Sequence, residues 1–354
     1  MRTRIVSCAI GVYWAMLSMN DADAEGCIPI ALPSGATDVR VPSDLKISRT
    51  NSRDTITPSG YWLYHSGKNL MLSGPAEFCL KQDIVRDVDI LAKLIGEPGG
   101  YGPLVEMSNS DITLDLNGHA LRSNRAGLAI QANVGGYKNE KVTKNFVFKN
   151  GMIEIGGVGV EITGWQYMNS SANYIPGPDE IRVAENWYGV GFREFDESNV
   201  ILENLTIKSG GMAAYLVGRK NIIRNCHIEV DGHEAIALFG AGNRLINNEI
   251  IVRRTIPAPR RPNQPPAQLA LGFYYEEHAP IWIRDAPGLI IRGNKITVRG
   301  LFPAEEAILL INSPNVVIED NEVNGVKKLY RALDAQSSAR VHNNRKRFGK
   351  WPED

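Results

Sequence analysis

Cysteine is scarce in this 354-residue chain, with four residues and no Cys-x-x-Cys pair, which removes zinc ribbons and dithiol redox motifs from consideration. Net charge is missing too. Lys and Arg total 39 against 39 for Asp and Glu, so no field of one sign exists to hold nucleic acid or a membrane surface, and neither partner is expected. Past Met19 no apolar run approaches the length of a membrane span. Helix-containing repeats of the TPR or armadillo type are excluded because the recurring unit is too short for them. The Leu-x-x-Leu-x-Leu spacing of leucine-rich repeats does not occur either.

What is present is one short phrase, repeated about every 22 residues between 199 and 323. Its copies run from Ile201 to Ile207, Ile222 to Ile228, Arg244 to Ile250, Ile291 to Ile296 and Ile318 to Val323. Each places two large apolar residues five apart, and three positions before the second stands Asn204, Asn225, Asn247, Gly293 or Asp320. Asn, Asp and Gly tolerate positive φ, so this column predicts a tight bend between two short strands. The apolar partners are mainly Ile, Val and Leu, which suit strands. Earlier copies occur at 148–153, with Asn150, and at 116–121, with Gly118, so the repeats are expected to start near residue 110. A further apolar run follows in each repeat, as in Ala235-Ile236-Ala237-Leu238, Ile281-Trp282-Ile283, Ala307-Ile308-Leu309-Leu310 and Ala332-Leu333-Asp334-Ala335. These runs align when the bends after them are matched at Asn221, Asn243, Gly288 and Asn315. A fixed period of short strands and bends is the signature of a solenoid, predicted here over 111–345 with a tail at 346–354.

The start of the chain has a different pattern. Met1-Arg2-Thr3-Arg4 is basic, Ile5 to Met19 is largely apolar, and Ala22 and Ala24 fit a small-residue cleavage site, so residues 1–24 are predicted to be a secretory signal and the protein to be secreted or periplasmic. Residues 25–110 read as an N-terminal cap over the open end of the solenoid, which would otherwise expose unpaired backbone. In it, 61–64 and 74–80 look like strands that pair before the first repeat, and Asp83 to Ile95 carries an approximately helical apolar stripe. Cys27 and Cys79 both lie in the cap, and export makes a disulfide between them plausible. Cys226, in the repeated bend, reads as a packed thiol.

Two long insertions, 164–198 and 253–279, interrupt the repeats and carry aromatics suited to stacking on sugar rings, among them Trp165, Trp187, Phe273 and Tyr274. One corner of the repeat gathers titratable groups: Asp231, His233 and Glu234, then Glu276, Glu277 and His278 where the second insertion re-enters, then Glu305 and Glu306, then Tyr330 and Arg331. Strand stacking at about 4.8 Å would bring these into one cleft wall. Carboxylates that close either raise one another's pKa, as a general acid requires, or bind a divalent cation such as calcium. No cofactor is required by this chemistry, and no metal ligands are assigned.

The stretch Asp111 to His119, together with the repeats, resembles the right-handed parallel β-helix proteins of the pectate-lyase-like superfamily, over roughly residues 75–345. The resemblance implies an all-β fold, a right-handed parallel β-helix with an N-terminal cap. It is specific for fold rather than activity, since that scaffold carries lyases, hydrolases, epimerases, tailspikes and adhesins. Asp231-Gly232-His233-Glu234 is similar to the Asp-Pro-His-Glu motif of mannuronan C5-epimerases, with Gly232 in place of Pro and Ile228 where that family has Tyr. The similarity implies catalytic roles for Asp231 and His233, with Glu234 and His278 beside them and Tyr215 standing in for the missing Tyr. Arg219, Lys220, Glu277, Trp282, Arg284, Glu306 and Arg331 are the candidate substrate-binding residues. The Gly-His-Gly pattern of polygalacturonases and the Arg-x-Pro-x-x-Arg of pectate lyases are absent. Two classes remain: an exported enzyme that acts on an acidic, uronate-containing polysaccharide by proton abstraction, as a lyase or C5-epimerase, and a non-catalytic β-helix adhesin or carbohydrate-binding surface protein. A glycoside hydrolase on the same scaffold is the third option.

Overall fold

The computed structural model describes residues 26–30, 47–50, 53–56, 60–63, 70–86, 103–107, 109–123, 128–133, 143–163, 197–232, 234–254, 279–301 and 304–347. The regular elements among them are all strands, gathered into a 17-stranded sheet, a 10-stranded sheet and a two-stranded pair. The two large sheets form three columns of parallel strands, and the chain visits them in turn. The first column includes Val200–Ser209 by its first half, then Ile222–Arg224, Arg244–Ile246, Ile290–Arg292, Val316–Glu319 and Ala339–His342. The second takes the other half of Val200–Ser209, then His227–Val230, Glu249–Arg254, Lys295–Gly300, Glu322–Asn324 and Arg345–Lys346. The third column, the 10-stranded sheet, contains Leu128–Asn133, Val158–Thr163, Ala214–Val217, Ile236–Phe239, Ile281–Arg284, Ala304–Ile311 and Val326–Ala332. Parallel partners one repeat apart in three columns are compatible with a parallel β-helix. No described helix is long and apolar enough to cross a membrane.

The bend column behaves as its residue types require. Asn150, Asn204, Asn225, Asn247, Gly293 and Asp320 all have positive φ, between 53° and 66°. Ile207, Ile228, Ile250, Ile296 and Val323 pair in succession and are wholly buried. Each such side chain is worth roughly 1.5–3 kcal/mol of burial. A second bend column stands before the first strand column, at Asn199, Lys220, Gly242, Gly288 and Asn315, again all at positive φ. The matching of Asn221 and Asn243 with Gly288 and Asn315 is therefore off by one residue. Asn221 and Asn243 follow the bend and are buried, their amides bonded to backbone carbonyls of the preceding turn. Neighbouring residues thus do different work, Lys220 or Gly242 turning the chain and the asparagine after it filling a buried polar position.

The same division recurs after the other bend. Asn248, Asn294, Asn321 and Asn344 form a continuous side-chain ladder, amide to carbonyl at 2.8–3.0 Å, and each amide also donates to a backbone carbonyl. Cys226 stands above the ladder, its N–H donating to Asn248 at 2.9 Å. Its buried thiol is pushed up to about 11 by desolvation, which fits a packed, unreactive cysteine.

Parallel pairing begins upstream of residue 110, since Leu70–Ser73, Ala76–Leu80 and Ile84–Arg86 already pair in parallel with later strands. The expected strands at 61–64 and 74–80 both exist, but they take other partners. Gly60–Leu63 forms an antiparallel hairpin with Leu70–Ser73, and Ala76–Leu80 joins the first column between Ile28–Ile30 and Ile112–Asp115. The helical stripe starting at Asp83 is contradicted where it is described: Ile84–Arg86 is a strand whose Ile84 continues the inward column beside Leu121. In the repeat at 116–121 the bend is two residues wider, with Asn117 and Gly118 both at positive φ. The partner of Phe148 is consequently Leu114 rather than Leu116. A disulfide joins Cys27 to Cys79 with Cα atoms 5.8 Å apart, as export would permit. The segment 1–24 expected to be a signal, most of both insertions and 348–354 lie outside the described residues.

Candidate functional site

The corner between the second and third columns is described only in part. Asp231 is exposed and lies 3.5 Å from Arg253. Glu234 is half-buried just ahead of Ile236–Phe239. His233, Glu276, Glu277 and His278 fall outside the described residues. Glu305 and Glu306 belong to the strand Ala304–Ile311 rather than to the corner, and Tyr330 and Arg331 to Val326–Ala332, which starts directly after the left-handed Gly325. Glu305 is exposed and its carboxyl is held low by a hydrogen bond from Lys327 at 2.8 Å. Glu306 is only 2% exposed. Its Oε1 accepts from Arg331 at 3.0 Å, and its Oε2 has no partner. Tyr330 packs against the main core. Arg219 and Lys220 sit at the opposite end of the third-column strand, where Lys220 pairs with Glu197 at 2.8 Å. The length of a third-column strand lies between them and Asp231, so these two basic residues and the Asp231 corner do not form one site. Among the described residues no group of three or more His, Cys, Asp or Glu converges as a metal-ligand set.

The outward side of the third column draws other candidates together. Alternation sends Ala214, Leu216, Leu238, Ile281 and Ile283 into the main core. Tyr215, Phe239 and Trp282 belong instead to a separate apolar cluster on the other side of the sheet. The rings of Tyr215 and Phe239 meet at a tilt, 5.2 Å apart, and those of Phe239 and Trp282 meet edge to face at 5.6 Å, a geometry that aromatic quadrupoles favour. Register places Gln131, Glu161, Tyr215, Ala237, Trp282, Leu309 and Arg331 side by side along one outward row. Arg284, in the neighbouring row beside Phe239, is 3% exposed. Its Nε donates to Asp285 Oδ2 at 3.2 Å, and the amide of Asn312 donates to the other carboxylate oxygen. The guanidinium is thereby fixed in place.

Glu161 is the residue that sequence reasoning missed. It lies directly beside Tyr215, one strand away, and is 7% exposed. Burial pushes its carboxyl up to about 7, and a hydrogen bond with Gln131 only partly opposes this. Burial also raises Tyr215, with the Glu161 charge adding to the effect and Arg284 opposing it, so the phenol is neutral at any ordinary pH. An acid poised near neutrality one strand from a buried phenol is a candidate proton-handling pair, with the fixed Arg284 close enough to Tyr215 to act on its charge. Both insertions root beside it. The first leaves after Val158–Thr163, and the second leaves after Glu249–Arg254 and returns ahead of Ile281–Arg284. Glu161, Tyr215, Phe239, Trp282 and Arg284 are all buried.

No protein-family model, no curated protein and no solved structure matches this chain. Its functional reading therefore rests on its own residues.

Proposed function

We propose that the chain is an exported right-handed parallel β-helix with an N-terminal cap, and that it acts on an acidic, uronate-containing polysaccharide by proton abstraction beside the uronate carboxylate. The observation that carries this reading is Glu161, a carboxylic acid pushed up to about 7 by burial, at the position paired with Tyr215 on the next strand. Removing the proton at C5 of a uronate needs a base matched to neutral pH, a cation to neutralise the carboxylate and a group that supplies a proton in return. In this reading ionised Glu161 takes the C5 proton, Arg284 neutralises the carboxylate and Tyr215 donates. Donation to the opposite face of C5 inverts that centre. Donation to the departing O4, with cleavage of the C4–O4 bond, leaves a C4=C5 double bond and a shortened chain. The aromatic rings of Phe239 and Trp282 suit the apolar faces of sugar rings. A divalent cation such as calcium remains an optional partner for the polymer. The corner at Asp231 and His233 is the rival placement of the catalytic groups within the same reading.

The burial of the row supports a second reading, a non-catalytic adhesin or carbohydrate-binding β-helix in which the aromatic cluster only anchors the covering chain. Incubation with a panel of uronate polymers separates the two. The enzyme reading expects either absorbance from unsaturated ends or C5 inversion by NMR on at least one polymer. Binding without either change, across the whole panel, favours the second reading.

A further inference from the structure

A different group of titratable residues lies on the outward side of the second column and is independent of the proposed site. His227 is half-buried there, and both of its ring nitrogens face carboxylates. Nδ1 lies 3.0 Å from Glu249 Oε2 on the next repeat, and Nε2 lies 2.9 Å from Glu229 Oε1 on its own strand. A carboxylate only accepts hydrogen bonds, whereas a neutral imidazole has a single N–H to give. With a neutral ring, one of the two contacts would set a lone pair against a carboxylate oxygen. Imidazolium alone satisfies both.

We infer that His227 is a proton-operated clamp between adjacent repeats: charged, it ties Glu229 to Glu249, and loss of its proton opens one of the two bonds. The surroundings set the limits of the device. From the preceding strand Thr206 and Lys208 face this position, with Lys208 next to Glu229. From the following strand come Glu249 and Ile251, and from the strand beyond comes Lys295, 2.7 Å from Glu249 Oε1. Arg253 bonds Glu229 and also reaches Asp231 at 3.5 Å. Glu229 is held low first by its hydrogen bond with His227, against the effect of burial, and then by Arg253. Glu249 is held low first by Lys295, again against burial, and then by His227. Both carboxylates therefore keep their charge on mild acidification, and their contribution is lost only as the pH falls below the ordinary carboxylate range. The contribution of imidazolium has the opposite sign: it is complete in mild acid and disappears as the pH rises and the ring is neutralised. The junction is strongest in mildly acidic medium and loosens in alkaline medium.

Nitrogen-detected NMR of the histidine rings tests the charge state directly. At about pH 7, where an isolated imidazole of reference pKa near 6.5 is mostly neutral, His227 is expected to carry protons on both nitrogens. A singly protonated His227 at that pH overturns the proposal. His227→Gln gives a second readout, because its amide donates on one side only and mimics the neutral ring. The Tm advantage of wild type over this variant is expected to shrink from about pH 6 to about pH 9, a range that brackets the reference value. An advantage that stays constant over the range also overturns it. If the variant does not fold, the NMR measurement on wild type decides alone.

Discussion

The outward sides of the second and third columns share one backbone plan and differ in almost everything else. Along the second, Thr206, His227, Glu249, Lys295, Glu322 and Arg345 follow one another in register. From Glu249 onward the row alternates negative and positive groups, with pairs at 2.7 Å and 2.9 Å, and His227 lies 3.0 Å from Glu249 ahead of them. That is how a stacked, solvated row avoids placing like charges opposite each other. Along the third, the equivalent row holds Glu161, Tyr215, Ala237, Trp282 and Leu309, all of them buried. One row is dressed for water and the other is covered. A lone acid survives in the covered row with its carboxyl pushed up to about 7 by burial, and the proposed site rests on this contrast.

Substitutions that break the contrast differ in size. Phe239→Ala removes the ring that joins Tyr215 to Trp282 and should cost about 3–5 kcal/mol, as deletion of a buried aromatic usually does. Urea unfolding measures it, and a cost near that of a surface change would show that the covered row is not packed. Glu161 should give the next largest effect, as a pH dependence. Its carboxyl holds a proton up to about 7 in the folded chain, against 4.5 when free, so between those values the native state binds more protons than the unfolded state. Stability is therefore highest below the lower value, falls as pH rises and levels off above about 7, a change of about 3 kcal/mol. Glu161→Gln should remove that slope, which unfolding midpoints across the interval will register. The smallest effect belongs to the water-facing sides. Arg292→Ala, which deletes an exposed ion pair with Glu319, should cost less than about 1 kcal/mol and less still in high salt.

Much of the scaffold was legible because its signals are local. The positive-φ column from Asn204 to Asp320 and the inward column from Ile207 to Val323 follow from spacing within single repeats. Cys27 and Cys79 could be paired because export and their shared position pointed the same way. The buried asparagine ladder was hidden, since Asn247 and Asn248 are adjacent and identical in type while one bends the chain and the other bonds inside it. Glu161 was hidden for a related reason. Its neighbour Tyr215 lies beyond the whole first insertion, so only strand register brings them together. Ala214–Val217 and Ile281–Arg284 are buried at every position, which removes the alternation that would have shown which side faces outward. The expected corner overextended in the opposite direction, because Tyr330 and Arg331 were placed at a bend that Gly325 had already made.

The most direct measurement compares rates of Glu161→Gln, Asp231→Asn and His233→Ala on a uronate polymer that the wild-type chain modifies. The account predicts that Glu161→Gln lowers kcat roughly 10²- to 10⁴-fold, the usual contribution of a positioned acid or base, while both corner variants keep most of the rate. A Glu161→Gln protein that turns over at the wild-type rate, with activity lost instead in Asp231→Asn and His233→Ala, would contradict it and place the chemistry at the corner.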